Sequence, residues 1–292
     1  MKRTIAIICM AALVIAAFAG CSSGAQTTAT TAAASSAAQA GDPGATANKD
    51  YDGKVYKIAC DAAYAPFSIQ AGADRTPPGE VVTSGNGMGD YYGIDVEILA
   101  AVAAYEGFKF ELTPMDFSGI IPAITSGTID GSIAGMNITE PRKESVDFSD
   151  GYYESGSAIV VNKDDTTISS FEDLKGKVAA CKEGTTGMAW CQDFSEQYGF
   201  SVSVYPDSAS MMLAVSNKQA DFLIEDYPVI SYQIKIGEQA ALKVAVDAIE
   251  QPPQNGFAVK KGENQTLLAM FNEGLAAIRA NGTYDKIINQ YK

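Results

Sequence analysis

The sequence predicts an α/β protein whose two lobes face each other across a cleft, and three observations point there. Strand and helix signals alternate from Tyr51 to the C-terminus, the order that lays helices on the faces of sheets. A helix-end, turn and strand unit occurs twice: "ITSGTIDGSIAGMN" at 124–137 and "VSNKQADFLIEDYP" at 215–228 align Asp130 with Asp221 and Ile133 with Ile224. The chain has 292 residues, 47% of them apolar, enough for two lobes around a substantial core.

The elements follow in order. Lys2 and Arg3 precede an apolar run and the small residues before Cys21, the pattern of a signal peptide over 1–20. Residues 22–50 contain no aromatic residue and no Leu, Ile or Val, so they bury too little apolar surface to offset ordering and read as a disordered tether. "KVYKIACD" is a strand ending at Asp61. "IDVEILAAVAAYEG" sets Val96, Leu99, Ala100 and Ala103 on one helical face before Gly107. "FKFELTPM" is a strand. "SGIIPAITSG" is a short helix with Ser118 as its cap, Pro122 in its first turn and Gly127 as its stop. "TIDGSIAGM" returns as a strand. The segment 70–92, with two prolines and five glycines, reads as an irregular surface excursion.

In the repeated unit each strand opens at its C-terminal end into a loop, "AGMNIT" in one half and "EDYP" in the other. Open α/β sheets bind ligands just beyond those ends.

Composition narrows the function. Beyond residue 20 the chain carries 19 basic against 35 acidic side chains, a net of −16, which argues against nucleic acid and anionic lipid as partners. The absence of histidine removes the Ser-His-Asp triad, the Cys-His dyad and every His-containing zinc site. No cofactor or metal is expected, and no Gly-rich run ends in Gly-Lys-Ser or Gly-Lys-Thr. Of the cysteines beyond the leader, Cys181 and Cys191 alone are near in sequence. They are either a disulfide, which an extracytoplasmic setting permits, or two small buried apolar side chains.

Several runs together resemble a known family. "DAAYAPF", "GIDVEILAAVA", "PMDFSGIIPAITSGTID", "AGMNITEPRKESVDFSDGYYESG", "DLKGKVAACKEGTTG", "ADFLIED" and "IRANGTYDKI" are similar, in order and spacing, to the amino-acid-binding proteins of ABC importers, solute-binding protein family 3. The glutamine-binding members are nearest in several runs. The resemblance covers most of residues 54–292 and implies a type II periplasmic-binding-protein fold with a double chain crossover. One lobe would then be 51–151 with 256–292 and the other 157–249, with hinges near 152–156 and 250–255 closing the lobes over ligand. The "AFAGC" ending likewise resembles the lipobox of bacterial lipoproteins, although Phe18 stands where an aliphatic residue is usual. It implies lipid on Cys21, with a plain signal peptide as the alternative.

A free amino acid presents a carboxylate and an ammonium, so its binder needs one cationic fork and one anion. Arg142, one of only four arginines, suits the carboxylate because a planar guanidinium donates two parallel hydrogen bonds. The resemblance gives it that role, with "Thr139-Glu140-Pro141" as a capped helix start beside it. It also makes Asp226 the ammonium ligand and Thr186 a second-lobe donor to the carboxylate, and it places Tyr64 and Phe117 on either side of the ligand's stem. Gly135 leaves room for a close main-chain approach.

Selectivity falls to Asp61, Asn137, Lys182 and Glu225; at Asn137 and Glu225 the glutamine-binding members hold threonine and histidine. Glu225 and Asp61 make an acidic pocket end that favours a basic side chain, whereas a Lys182–Glu225 pair returns the pocket to an amide. A glutamine-like ligand ranks first and a basic amino acid second.

The function implied is a monomeric, membrane-anchored, non-enzymatic receptor that delivers an extracellular amino acid to an ABC permease. A cyclohexadienyl dehydratase-like enzyme on the same fold, with Asp61 or Glu225 as general acid or base, is the alternative. A sensor input module comes third, because no span or signalling domain follows.

Overall fold

The computed structural model describes residues 51, 53–72, 76–247 and 253–292. The expected leader, Cys21, the tether and the first half of the second hinge segment, 250–252, lie outside them. Strand β1 (Val55–Asp61) leads to a small antiparallel sheet of β2 (Ile69–Gln70), β3 (Val82–Thr83) and β4 (Asp90–Tyr92), in the order β2-β4-β3. The excursion expected over 70–92 is therefore partly a sheet. Its glycines and prolines dominate the composition, yet Val82, Thr83, Tyr91 and Tyr92 are strand formers, and Tyr91 and Tyr92 are buried.

Helix α1 (Ile94–Glu106) follows and ends at Gly107, whose φ of 78° is left-handed. Its Val96, Leu99, Ala100 and Ala103 are buried, and so are Ile94, Ile98 and Val102, so the apolar surface extends around most of the helix. Strand β5 (Lys109–Met115) precedes α2 (Phe117–Thr125). The expected cap Ser118 lies inside α2, as does Pro122; the cap position is Asp116. Burial of Phe117 together with Ile120 and Ile124 in one apolar cluster starts the helix two residues earlier than its polar residues suggest. Gly127, at φ 76°, lies just beyond its end.

The rest of the first half is β6 (Gly131–Ser132), a shorter strand than "TIDGSIAGM" suggests, then α3 (Glu140–Lys143), β7 (Val146–Phe148) and β8 (Tyr153–Glu154). The second half holds β9 (Ser157–Asn162), a 3-10 turn at Phe171–Leu174, β10 (Val178–Lys182), α4 (Thr186–Tyr198), β11 (Ser201–Tyr205), α5 (Ser208–Ser216), β12 (Phe222–Asp226), α6 (Tyr227–Lys235) and β13 (Leu242–Val246). The chain then returns through β14 (Gln254–Asn255) and β15 (Ala258–Lys260) to α7 (Gln265–Ala280) and α8 (Thr283–Gln290).

Two five-stranded sheets result, ordered β5-β1-β6-β15-β7 and β11-β10-β12-β9-β13. In each, the three leading strands are parallel and the fourth is antiparallel to its neighbours. The echo in sequence is an echo in space. Asp130 donates its N–H to the Lys57 carbonyl (2.8 Å) and accepts the Lys57 N–H on its carboxylate (2.9 Å). Asp221 does the same with Val178, at 2.8 Å for both bonds. Each aspartate thus fixes the register between the central strand that it introduces and the parallel neighbour of that strand, β6 with β1 and β12 with β10.

Leu267, Phe271 and Leu275 of α7 share a cluster with Val96, Leu99 and Val102 of α1, and α8 is tied back to α1 where Gln290 Nε2 donates to Glu97 (2.8 Å). β8 and β14, the two segments joining the sheets, pair antiparallel with each other. Cys181 and Cys191 are free thiols, not a disulfide. They pack as small apolar side chains in a cluster with Trp190, Phe200 and Phe222.

Candidate functional site

The carboxyl ends of the parallel strands converge on one cavity. β1 delivers Asp61, β10 delivers Lys182, β12 delivers Glu225 and Asp226, and the loop after β6 delivers Gly135 and Asn137. All ten residues named from sequence as ligand contacts line it, joined by Ser157, Thr185, Gly187, Met211 and Ile224.

Arg142 comes from α3, a single turn capped by Thr139, whose hydroxyl accepts the Arg142 N–H at 3.4 Å. Its guanidinium donates from Nη1 to the Asn137 carbonyl (2.8 Å) and from Nη2 to the Gly184 carbonyl (3.0 Å), and it lies 5.4 Å from the Phe117 ring centre. Burial draws its pKa down to about 10 against the opposing pull of Asp226, so it stays charged at neutral pH. Close by, α4 begins at Thr186, with Thr185 capping it by accepting the Met188 N–H at 3.1 Å. A helix N-terminus beside a guanidinium is a site for a carboxylate.

Tyr64 Oη reaches two acids, Asp226 Oδ2 at 2.9 Å and Glu225 Oε1 at 3.2 Å. Ser155, from the segment joining the sheets, donates to Asp226 Oδ2 at 2.7 Å. Lys182 is bonded to Asp61 at 2.5 Å, both side chains being almost fully buried, and its ammonium lies 4.9 Å from the Tyr64 ring centre and 5.4 Å from that of Phe117. The pair weighed from sequence, Lys182 with Glu225, is therefore replaced by Lys182 with Asp61. The two sit at the ends of facing strands, whereas Glu225 lies with Asp226 against Tyr64. Glu225 Oε2 is buried with no hydrogen-bond partner among the described residues.

Asn137 bridges the sheets: its Oδ1 accepts from Thr186 Oγ1 (2.9 Å) and its Nδ2 donates to Asn255 Oδ1 (2.8 Å). Gly135 adopts φ 57°, and a Cβ there would stand 2.6 Å from Tyr64 Cε1, so glycine is required by conformation and by the packed ring alike. Its N–H donates to Asp95 Oδ2 (2.7 Å), and Asp95 Oδ1 accepts from Tyr152 Oη (2.7 Å).

Sequence reasoning missed Asp95, Tyr152, Ser155 and Asn255. An acid in the first turn of so apolar a helix was the one available signal for Asp95. Nothing marked Ser155 or Asn255, which face the cavity or its lining only because the two connecting segments pair. Among the described residues no cluster of His, Cys, Asp or Glu is placed to hold a metal ion, and no helix is long and apolar enough to cross a membrane.

Two sheets of matched topology clasping a charged, aromatic-lined cavity define a type II solute-binding architecture. Residues 56–292 match the bacterial extracellular solute-binding proteins, family 3, and the chain belongs to that family. It is 30% identical over 233 residues to the ABC transporter arginine-binding protein 1 of Escherichia coli (strain K12), which covers 78% of this chain and 92% of the relative. Among solved structures it resembles an ancestral arginine-binding protein bound to arginine, with a TM-score of 0.70 and 34% identity over 81% of this chain and 97% of that one. The ancestral arginine-binding protein bound to glutamine gives a TM-score of 0.69 with the same identity and coverage.

Proposed function

We propose that the chain is the substrate-binding component of an ABC importer, and that it captures an extracellular amino acid with an amide side chain, of the glutamine type. In this scheme Arg142 and the start of α4 hold the α-carboxylate, and Asp226 holds the α-ammonium. Tyr64 and Phe117 enclose the stem. The observation that carries the amide is the Asp61–Lys182 pair beside those rings. An amide offers one carbonyl acceptor and one NH₂ donor, and an ammonium side by side with a carboxylate complements both. A guanidinium has donors only, and the Lys182 ammonium would repel it.

A basic amino acid is the second reading, favoured by the unpartnered Glu225 Oε2. That solved structures show an ancestral arginine-binding protein bound to arginine and bound to glutamine supports a site of this kind accepting either. The protein works as a monomer, held outside the cytoplasm by lipid on Cys21, and hands its cargo to a membrane permease without transforming it. Incubation with prephenate should accordingly give no aromatic product.

The deciding experiment is a thermal-shift screen of the twenty amino acids, after unfolding and refolding to remove carried-over ligand. Glutamine at 100 times its Kd is expected to stabilise the protein by about 2.7 kcal/mol. Arginine, lysine or histidine outranking glutamine would move the assignment to the second reading. No response to any amino acid would overturn both.

A further inference from the structure

Glu225 and Asp226 are consecutive, and each is 7% exposed on the same cavity. Neighbouring residues of a strand ordinarily point to opposite faces. Here β12 ends and α6 begins at Tyr227, and the turn brings both acids to one tyrosine. The Tyr64 hydroxyl has a single proton and two carboxylate oxygens within reach, at 2.9 and 3.2 Å. Glu225 Oε1 also accepts the Asp226 N–H (2.9 Å), Asp226 Oδ2 also accepts from Ser155, and Glu225 Oε2 accepts nothing among the described residues. The cations that face the pair are engaged elsewhere. Lys182 from β10 is bonded to Asp61 from β1, and Arg142 from α3 donates to two main-chain carbonyls. Two acids in one dry pocket without a dedicated cation do not both ionise readily.

We propose that Glu225 and Asp226 hold one proton between them while the cleft is empty, and that the ammonium of an incoming amino acid displaces it, with Glu225 Oε2 becoming a second acceptor beside Asp226. The proposal rests on the amino-acid assignment of the cleft. The exchange balances: one positive charge enters with the ligand and one proton leaves to the buffer. Burial pushes the Glu225 carboxyl up to about 7, the Asp226 charge adding to the shift and Lys182 opposing it. Burial also raises Asp226, against the hydrogen bonds from Ser155 and Tyr64 and the Arg142 charge. Affinity therefore falls in acid, Kd rising by up to about tenfold for each pH unit below about 7.

The test has two arms on the same purified protein. Carbon-13 NMR titration of the side-chain carboxyls in the ligand-free protein should show, apart from Asp95, which burial also pushes up to about 7, one group titrating near pH 7 that disappears in Glu225→Gln. Both acids titrating in the ordinary carboxylate range would overturn the proposal. Calorimetry with L-glutamine and L-arginine, in buffers of differing ionisation enthalpy, should show about one proton released on binding at pH 6 and little at pH 8.5. In Glu225→Gln the release and the pH dependence of Kd should largely vanish. Binding without proton release overturns the displacement while leaving the amino-acid assignment intact. Failure of every amino acid to bind overturns that assignment and the displacement with it, and the NMR arm still decides the shared proton.

Discussion

Lys182→Met separates the amide assignment from the basic one. Methionine keeps most of the lysine volume and removes the ammonium, leaving Asp61, 4% exposed, with the Ala63 N–H at 3.1 Å as its donor among the described residues. Removing one partner of a buried ion pair costs about 3–5 kcal/mol, because the other charge stays buried and uncompensated. The two aromatic faces lose a cation as well, about 0.5–1 kcal/mol each at the lower end. Asp61 and Lys182 belong to different sheets, so the penalty falls on the closed cleft and is read as lost affinity. Glutamine Kd, by isothermal titration calorimetry, is expected to rise at least a hundredfold, about 3 kcal/mol at 1.4 kcal/mol per decade. Arginine should move the other way, since its guanidinium now meets an unopposed Asp61 carboxylate. Adding Asp61→Asn removes the stranded charge and should reverse the gain for arginine. The reasoning is refuted if Lys182→Met leaves glutamine affinity unchanged, or if glutamine and arginine weaken in parallel.

Two further outcomes are expected. Gly135→Ala places a methyl 2.6 Å from Tyr64 Cε1 at a left-handed φ of 57°; it should destabilise the protein by about 1–3 kcal/mol in urea denaturation and weaken ligand binding, and unchanged values in both would remove Gly135 from the Tyr64 contact. Asp95 is pushed up to about 7 by burial, against the hydrogen bonds from Tyr152 and Gly135. The native state thus holds this proton more tightly than the unfolded chain, so the contribution to stability is present in acid and is lost as pH rises from about 4 to 7, at about 1.4 kcal/mol per unit. Asp95→Asn should flatten that part of the pH–stability curve, measured by urea denaturation at pH 4.5, 6 and 8, and a curve parallel to that of the parent protein would contradict the assignment.

Much of this was legible before any coordinates, for reasons that differ from residue to residue. The Asp130 and Asp221 echo was readable because a side chain that bonds back to a neighbouring strand leaves the same polar letter before the same apolar run. Thr139 was readable because capping is local, settled within three residues. Ser118 misled for the same reason: a local cap signal was outweighed by the burial of Phe117 in a cluster that also draws on Ala59, Val146 and Ala258, distant in sequence. The partner of Lys182 was beyond reach, since Asp61 lies 121 positions away and Glu225 offered equal charge. Ser155 and Asn255 matter through the pairing of β8 with β14, and two-residue strands carry almost no periodic signal.

Arg142 has a further consequence for how tightly an anion is held. A guanidinium carries five N–H donors. Two of them already serve the carbonyls of Asn137 and Gly184, which leaves three to meet an incoming carboxylate. Part of the roughly 2 kcal/mol of rotamer entropy in a free arginine side chain is therefore surrendered before the ligand arrives. One of the two carbonyls belongs to the far sheet, so under the hinge closure expected from the resemblance the last of that freedom would be lost only as the two halves meet. Immobilising the fork is thereby coupled to enclosing the cargo, and a solute that draws the halves together completes the grip that retains it.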